Sequence, residues 1–169
     1  VPYKGYKYLI DSARYLDDSY VVLIGGGGPL KSQLNEQIEA SGLGGKVRLM
    51  GYLTDQEVAA YFGACDIFCM SSVYATEAFG IVQIEAMSAG KPVVATKIPG
   101  SGVSWVNSDK VSGINVEPED SEALADAFRR ILSNEDVYNA FSTQASQRYW
   151  TMFTKNLMID KCLEIYNNL

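Results

Sequence analysis

The sequence predicts an α/β domain built on a doubly wound parallel sheet, a Rossmann-like arrangement. Three observations carry that expectation. Short, continuous apolar runs (YVVLI, KVRLM, DIFCM, PVVAT and SGINV) recur along the 169 residues. Segments of helical character alternate with them, and that alternation makes a parallel sheet covered on both faces. Glycine- and proline-rich turns such as GGGGP and KIPGSG follow the runs, where a strand hands over to the next element.

Taken in order, Tyr6 to Leu16 places apolar residues at Tyr8, Leu9, Ala13 and Leu16, a spacing that suits an amphipathic helix. YVVLI then reads as a buried strand ending in the glycine loop. Pro29 to Ala40 is the next helix, closed by Ser41-Gly42. KVRLMGYL is a second strand. Thr54 caps a helix that runs through Ala64, and Glu57 three residues later completes a capping box. DIFCM is the third strand, Ser71 to Gly80 a loop, and Ile81 to Ala89 a helix stopped by Gly90 and Pro92. PVVAT and SGINV supply the fourth and fifth strands. A helix from Ser121 to Leu132 follows, and Glu135 to Leu169 reads as two more. No repeat or low-complexity stretch is visible. Ligands of such sheets bind at the carboxyl ends of strands, so the loops after Ile24, Met50, Met70 and Thr96 are the ones to inspect.

Composition narrows the function. Hydrophobic residues at 47% and charged residues at 20% are ordinary for a soluble domain of this length. The net charge of −6 argues against nucleic acid or an anionic membrane as the main partner. The chain has no His, which excludes a His general base, a His-ligated metal and a Ser-His-Asp triad within it. Cys65, Cys69 and Cys162 are few and odd in number, as expected of reduced thiols in a cytosolic protein. The Cys65/Cys69 pair has no further metal ligands nearby. No run approaches the roughly 20 apolar residues a bilayer span needs. The start at VPYKG, without Met, leads to the expectation of a fragment of a longer protein.

Two carboxylates stand out in ATEAFGIVQIEAMSAGKP, residues 75–92. Gly80 lets the backbone come close to a ligand. The amides of Ile81, Val82 and Gln83 begin a helix and lack helical acceptors, so with the helix dipole they form an anion site. Thr76 or water would satisfy them equally well. Glu85 lies among Ile81, Val82, Ile84, Ala86 and Met87, where an ionised carboxylate is costly unless hydrogen-bonded or facing a cleft. Vicinal ribose hydroxyls would suit an acceptor-only group. A solvent-facing helix position is the plainer alternative. Glu77 precedes the helix and is read either as a ligand for sugar hydroxyls or as a solvated loop acid. GGGGP is neither a P-loop nor a clear dinucleotide loop, and serves equally as a strand-to-helix connection. Lys4-Gly5 is a lone basic pair in a loop.

The stretch EAFGIVQIE, Glu77 to Glu85, resembles the E-x7-E motif of retaining glycosyltransferases of the GT-B architecture, known as glycosyltransferase group 1 or family 4. VPYKGYKYLIDSA, VVLIGGGGPLKSQL, VRLMGYLTDQEVAAYFGACDIFCMSS, GKPVVATKIPGSG and SGINVEPED resemble further family segments in the same order. The resemblance covers nearly the whole chain. It implies the C-terminal half of a GT-B enzyme, with residues 1–169 as the nucleotide-sugar donor-binding domain. The family's first strand, which carries a phosphate-binding Arg, and the acceptor-binding N-terminal domain would then lie outside it.

Roles follow by resemblance. Lys4 would pair with the donor diphosphate and Glu77 would contact the transferred sugar. Amides at Phe79, Gly80, Ile81 and Val82 would hold sugar and phosphates. Glu85 would bind the ribose, Gly51, Tyr52 and Leu53 would lie beside the nucleobase, and Gly27 of the glycine loop is a further candidate donor-binding position. The donor would be a UDP- or GDP-sugar, and the acceptor a glycan or lipid-linked glycan held by the N-terminal domain. No cofactor is implied, and the absence of a D-x-D sequence argues against a required metal. The IPGSGVSWV segment departs from the family's usual G-G-x-x-E pattern, so no catalytic role is assigned there. It resembles transferases of O-antigen, capsule or lipopolysaccharide synthesis. A cytoplasmic protein is implied, with peripheral contact at the inner face of the membrane through the absent domain. Competing readings are a sugar-nucleotide epimerase of the same architecture and a non-catalytic nucleotide-sugar-binding domain. A nicotinamide-dependent oxidoreductase would need an acid about 20 residues beyond the glycine loop, where Lys46 and Arg48 stand instead.

Overall fold

The computed structural model describes residues 1–168. Five strands are formed: β1 Val22–Gly25, β2 Val47–Gly51, β3 Phe68–Met70, β4 Val93–Thr96 and β5 Gly113–Val116. The helices are α1 Tyr6–Ser12, α2 Lys31–Ala40, α3 Asp55–Ala64, α4 Ile81–Ser88, α5 Val103–Val106, α6 Ser121–Ile131, α7 Glu135–Met152 and α8 Lys155–Asn167. All strand pairs are parallel, as the alternation requires. They form two sheets, one ordered β1-β2 and the other β3-β4-β5.

β4 shows why the sheet is covered on both sides. All four of its residues are buried. Val94 points into a core with Ile10 of α1, Ile24 of β1, Ile38 of α2 and Leu124 and Phe128 of α6. Val93 and Ala95, one residue to either side, point into a second core with Met87 of α4, Val103 and Val106 of α5 and Ala145 of α7. The two-residue period of a strand thus feeds two cores, and a continuous apolar run is the only sequence that satisfies both.

Local chemistry sets the helix ends. The Thr54 hydroxyl accepts from the Glu57 amide while the Glu57 carboxylate accepts from the Thr54 amide, so the predicted capping box is formed. At α6, α7 and α8 the cap is one-way: the Asp120, Asn134 and Thr154 side chains accept from the amides of Ala123, Val137 and Leu157. The predicted first helix is shorter than its apolar spacing suggested. α1 ends at Ser12, a single 3-10 turn covers Ala13–Tyr15, and Leu16 is already extended. Among the described residues no helix is long and apolar enough to cross a membrane.

Candidate functional site

Lys4 closes a 3-10 turn, Pro2–Lys4, and Gly5 reverses the chain in the left-handed conformation at φ 65°. The Gly5 backbone lies so close to the loop after β3 that a Cβ would sit 1.9 Å from the Ser71 carbonyl oxygen. Two hydrogen bonds hold this approach: Ser71 Oγ donates to the Lys4 carbonyl at 2.9 Å, and the Val73 amide donates to the Tyr3 carbonyl at 2.8 Å. The consequence is a contact across 73 positions of sequence, with Lys4 Nζ 2.5 Å from Glu77 Oε2. Ser72 Oγ donates to the same oxygen at 3.2 Å. Thr96, at the end of β4, donates from Oγ1 to the Ser72 carbonyl at 2.5 Å and so ties the loop to the sheet. Burial of the ammonium pulls its pKa down. The hydrogen bond and the charge of Glu77 outweigh that and hold Lys4 above lysine's ordinary value.

Gly80 caps α4 with φ 75° and ψ 60°, and no side chain caps the helix, Thr76 included. The Gln83 amide, expected to be open, instead donates to the Gly80 carbonyl at 2.9 Å. The Ile81 and Val82 amides find no acceptor among the described residues. The side chains of Phe79, Ile81 and Val82 are all exposed.

The expected burial of Glu85 is corrected. Gln83, Ala86 and Met87 form the buried face of α4, and Glu85 is exposed. Two residues beyond Gln83 is a rotation of about 200°, which carries Glu85 to the opposite side. That side also carries the exposed Ile81 and Val82, so the carboxylate shares a solvent-facing strip with the open end of α4. The buried polar side chain is Gln83, whose Oε1 has no partner among the described residues.

The glycine loop and the end of β2 pack together. The Gly26 amide donates to the Gly51 carbonyl at 2.7 Å. Tyr52 is 86% exposed and its ring lies against the loop: a Cβ at Gly27 would meet it at 2.4 Å. Leu53 lies against Gly25 in the same manner. A cavity of about 200 Å³ is lined by Lys4, Gly25 to Gly28, Lys31 and Gly51, among others. Lys4 therefore joins two groups. It touches Glu77 on one side and shares this cavity with Gly27 and Gly51 on the other. Tyr52, Leu53, Phe79 to Val82 and Glu85 lie outside the cavity wall. A wider groove of about 680 Å³ runs between Ser88–Gly90 and α7, but no charged side chain lines it.

Sequence reasoning missed Ser72, Gln83, Lys31 and the Ser101-Gly102 turn. The signals were slight: a Ser-Ser pair ending a strand, one amide in an apolar helix, and one lysine after a glycine loop.

A parallel α/β domain that gathers an ammonium, a carboxylate, glycine turns and open helix amides at the carboxyl ends of its strands has the plan of a small-ligand-binding domain. The particular family is identified by comparison. The chain belongs to the glycosyl transferases group 1, which match residues 1–148. It is 34% identical over 167 residues to the O-antigen chain mannosyltransferase C of Escherichia coli, covering 99% of this chain and 44% of that protein. It is 32% identical over 152 residues to the D-rhamnosyltransferase WbpZ of Pseudomonas aeruginosa, covering 90% of this chain and 39% of that one. Anabaena Alr3699/HepE in complex with UDP superposes with a TM-score of 0.90 at 26% identity, over 100% of this chain and 46% of that chain. The chain thus spans less than half the length of these proteins.

Proposed function

We propose that residues 1–169 form the donor-binding domain of a retaining hexosyltransferase acting in bacterial surface polysaccharide synthesis, with a nucleoside diphosphate sugar as donor. The observation that carries this reading is the Lys4–Glu77 pair set beside the uncapped start of α4. The names of the O-antigen mannosyltransferase and the rhamnosyltransferase support the polysaccharide setting. Alr3699/HepE, solved with UDP-glucose, supports the donor class.

The chemistry follows from the groups present. Breaking the sugar–phosphate bond leaves negative charge on a diphosphate, and groups aimed at that charge lower the barrier. An ammonium has three donors. Lys4 uses one on Glu77, which leaves two for phosphate oxygens. The Ile81 and Val82 amides and the α4 dipole add to this. Glu77 receives Lys4 and Ser72 on Oε2, while Oε1 accepts nothing among the described residues and is available to a sugar hydroxyl. Glu85 takes the ribose hydroxyls on the open strip of α4. Gly51, Tyr52 and Leu53, packed against the glycine loop at Gly25 to Gly27, take the base. The acceptor, a glycan or lipid-linked glycan, is bound by a further domain of the longer protein; its hydroxyl oxygen bonds to the sugar and gives up its proton as the nucleoside diphosphate leaves, without a metal.

The test is a thermal-shift panel of UDP, GDP, ADP and their sugars, run in EDTA. A ligand at 100 times its Kd adds about 2.7 kcal/mol, or about 5–10 °C for a chain of this size. One nucleotide family is expected to stabilise the chain. Glu85→Ala is expected to abolish most of that shift while leaving the unliganded melting point unchanged, because the side chain is exposed and makes no hydrogen bond among the described residues. No shift with any nucleotide would overturn the reading.

A further inference from the structure

Three consecutive carbonyls at the candidate sugar loop are held from one side. Ser101 Oγ donates to the Glu77 carbonyl at 2.5 Å. The Gly102 amide donates to the Ala78 carbonyl at 2.7 Å. Gln83 Nε2 donates to the Phe79 carbonyl at 3.2 Å and to the Val103 carbonyl at 3.3 Å. Ser101 Oγ in turn accepts from the Val103 amide at 3.1 Å, so the clamp is anchored to the start of α5. The fit is close: a Cβ on Gly102 would come within 3.1 Å of the Ala78 carbonyl oxygen.

A trans peptide plane points its C=O and its N–H in opposite directions. Fixing the carbonyls of Glu77, Ala78 and Phe79 towards residues 101–103 and Gln83 therefore turns the amides of Ala78, Phe79 and Gly80 the other way. Those three amides, with Ile81 and Val82 after them, make a run of five without an acceptor among the described residues. Successive amides aimed to one side are an anion- or oxygen-binding concavity. The last two belong to α4 and are set by the helix. The first three depend on the clamp.

We infer that Ser101 and Gln83 are positioning residues that aim Glu77 and the Ala78–Gly80 amides at the transferred sugar, and so set the preference for nucleotide sugar over bare nucleotide. This rests on the donor-binding reading above. Loss of the Ser101 hydroxyl frees the Glu77 carbonyl and the peptide behind it. The α4 amides and Lys4, which serve the diphosphate, stay in place.

The experiment compares wild type, Ser101→Ala, Ser101→Thr and Gln83→Met by isothermal titration calorimetry with UDP, UDP-glucose, GDP and GDP-mannose. Ser101→Ala is expected to bind the preferred nucleotide sugar about tenfold more weakly, the loss of about one net hydrogen bond, and the bare nucleotide within twofold of wild type. Ser101→Thr, which keeps the hydroxyl, restores the wild-type ratio. Gln83 is fully buried, so Gln83→Met is read only if it melts cooperatively, and it is then expected to follow Ser101→Ala. If wild type shows the preference and Ser101→Ala keeps it, or if both ligands weaken alike, the clamp has no positioning role and the donor-binding reading stands. If wild type binds none of the four ligands, the donor-binding reading falls and takes this inference with it.

Discussion

Replacing Gly5 by Ala tests how the chain brings Lys4 to Glu77. Gly5 sits at φ 65° and ψ 20°, a conformation that costs a non-glycine residue about 1–2 kcal/mol. The added Cβ would lie 1.9 Å from the Ser71 carbonyl oxygen, 2.9 Å from its carbon and 3.1 Å from a Val73 methyl. A carbon–oxygen contact normally needs about 3.3 Å, so the two backbones must part by more than about 1 Å. Both groups are main chain, and no side-chain rotation relieves the overlap. Parting them breaks the Ser71–Lys4 and Val73–Tyr3 hydrogen bonds, each worth about 1 kcal/mol net. The sum is about 3–4 kcal/mol, a large share of the 5–15 kcal/mol typical of a domain. For a chain of this size it corresponds to a fall of about 6–16 °C in Tm. Gly44→Ala is the control, since Gly44 is exposed, is not among the positive-φ glycines, and has open space around it. It is expected to shift stability by no more than about 0.5 kcal/mol. Thermal unfolding followed by far-UV circular dichroism gives both values. A Gly5→Ala protein melting within 2 °C of the Gly44→Ala protein would show that the close approach of residues 5 and 71 does not constrain the fold.

Two further outcomes are expected. Lys4 is held above lysine's ordinary pKa of 10.5, so the stability its pairing adds is fully present below that value and is lost as pH rises through the raised one. The gap between wild type and Lys4→Met in urea unfolding should therefore be constant from pH 7 to pH 10. A gap that closes by pH 9 would contradict the pairing. Among the thiols, burial pushes Cys69 up to about 12 and raises Cys65, whereas Cys162 is exposed on α8. Since the thiolate is the reactive form, a disulfide reagent at pH 8 should modify Cys162 at least about tenfold faster than the other two. Persistence of the fast phase in Cys162→Ser would show that one of the β3-side thiols is reached instead.

What the sequence disclosed, and what it withheld, divides along a physical line. Signals confined to a few neighbouring residues were legible. The Thr54–Glu57 box, the glycine stop after α4 and the doubly buried run of β4 each arise from local geometry acting on adjacent side chains. The facing of α4 was not legible, because Ile81, Val82, Ile84, Ala86 and Met87 spread apolar surface around an eight-residue helix and leave no unique stripe. Such a helix permits either polar residue to be the buried one. The tie was broken by tertiary partners: Gln83 finds the Phe79 and Val103 carbonyls, while a carboxylate in its place would offer only acceptors to acceptors. The same reasoning explains why Glu85 lies on the open side of the helix. It also explains why the Lys4–Glu77 contact and the Ser101 clamp were invisible. They join loops 73 and 24 positions apart, and only the register of a parallel sheet, with its loops converging at one end, brings such residues within hydrogen-bonding distance. The family motif located the carboxylates. The fold determined which of them had neighbours, and the buried polar residue between them is Gln83, held by the Phe79 and Val103 carbonyls.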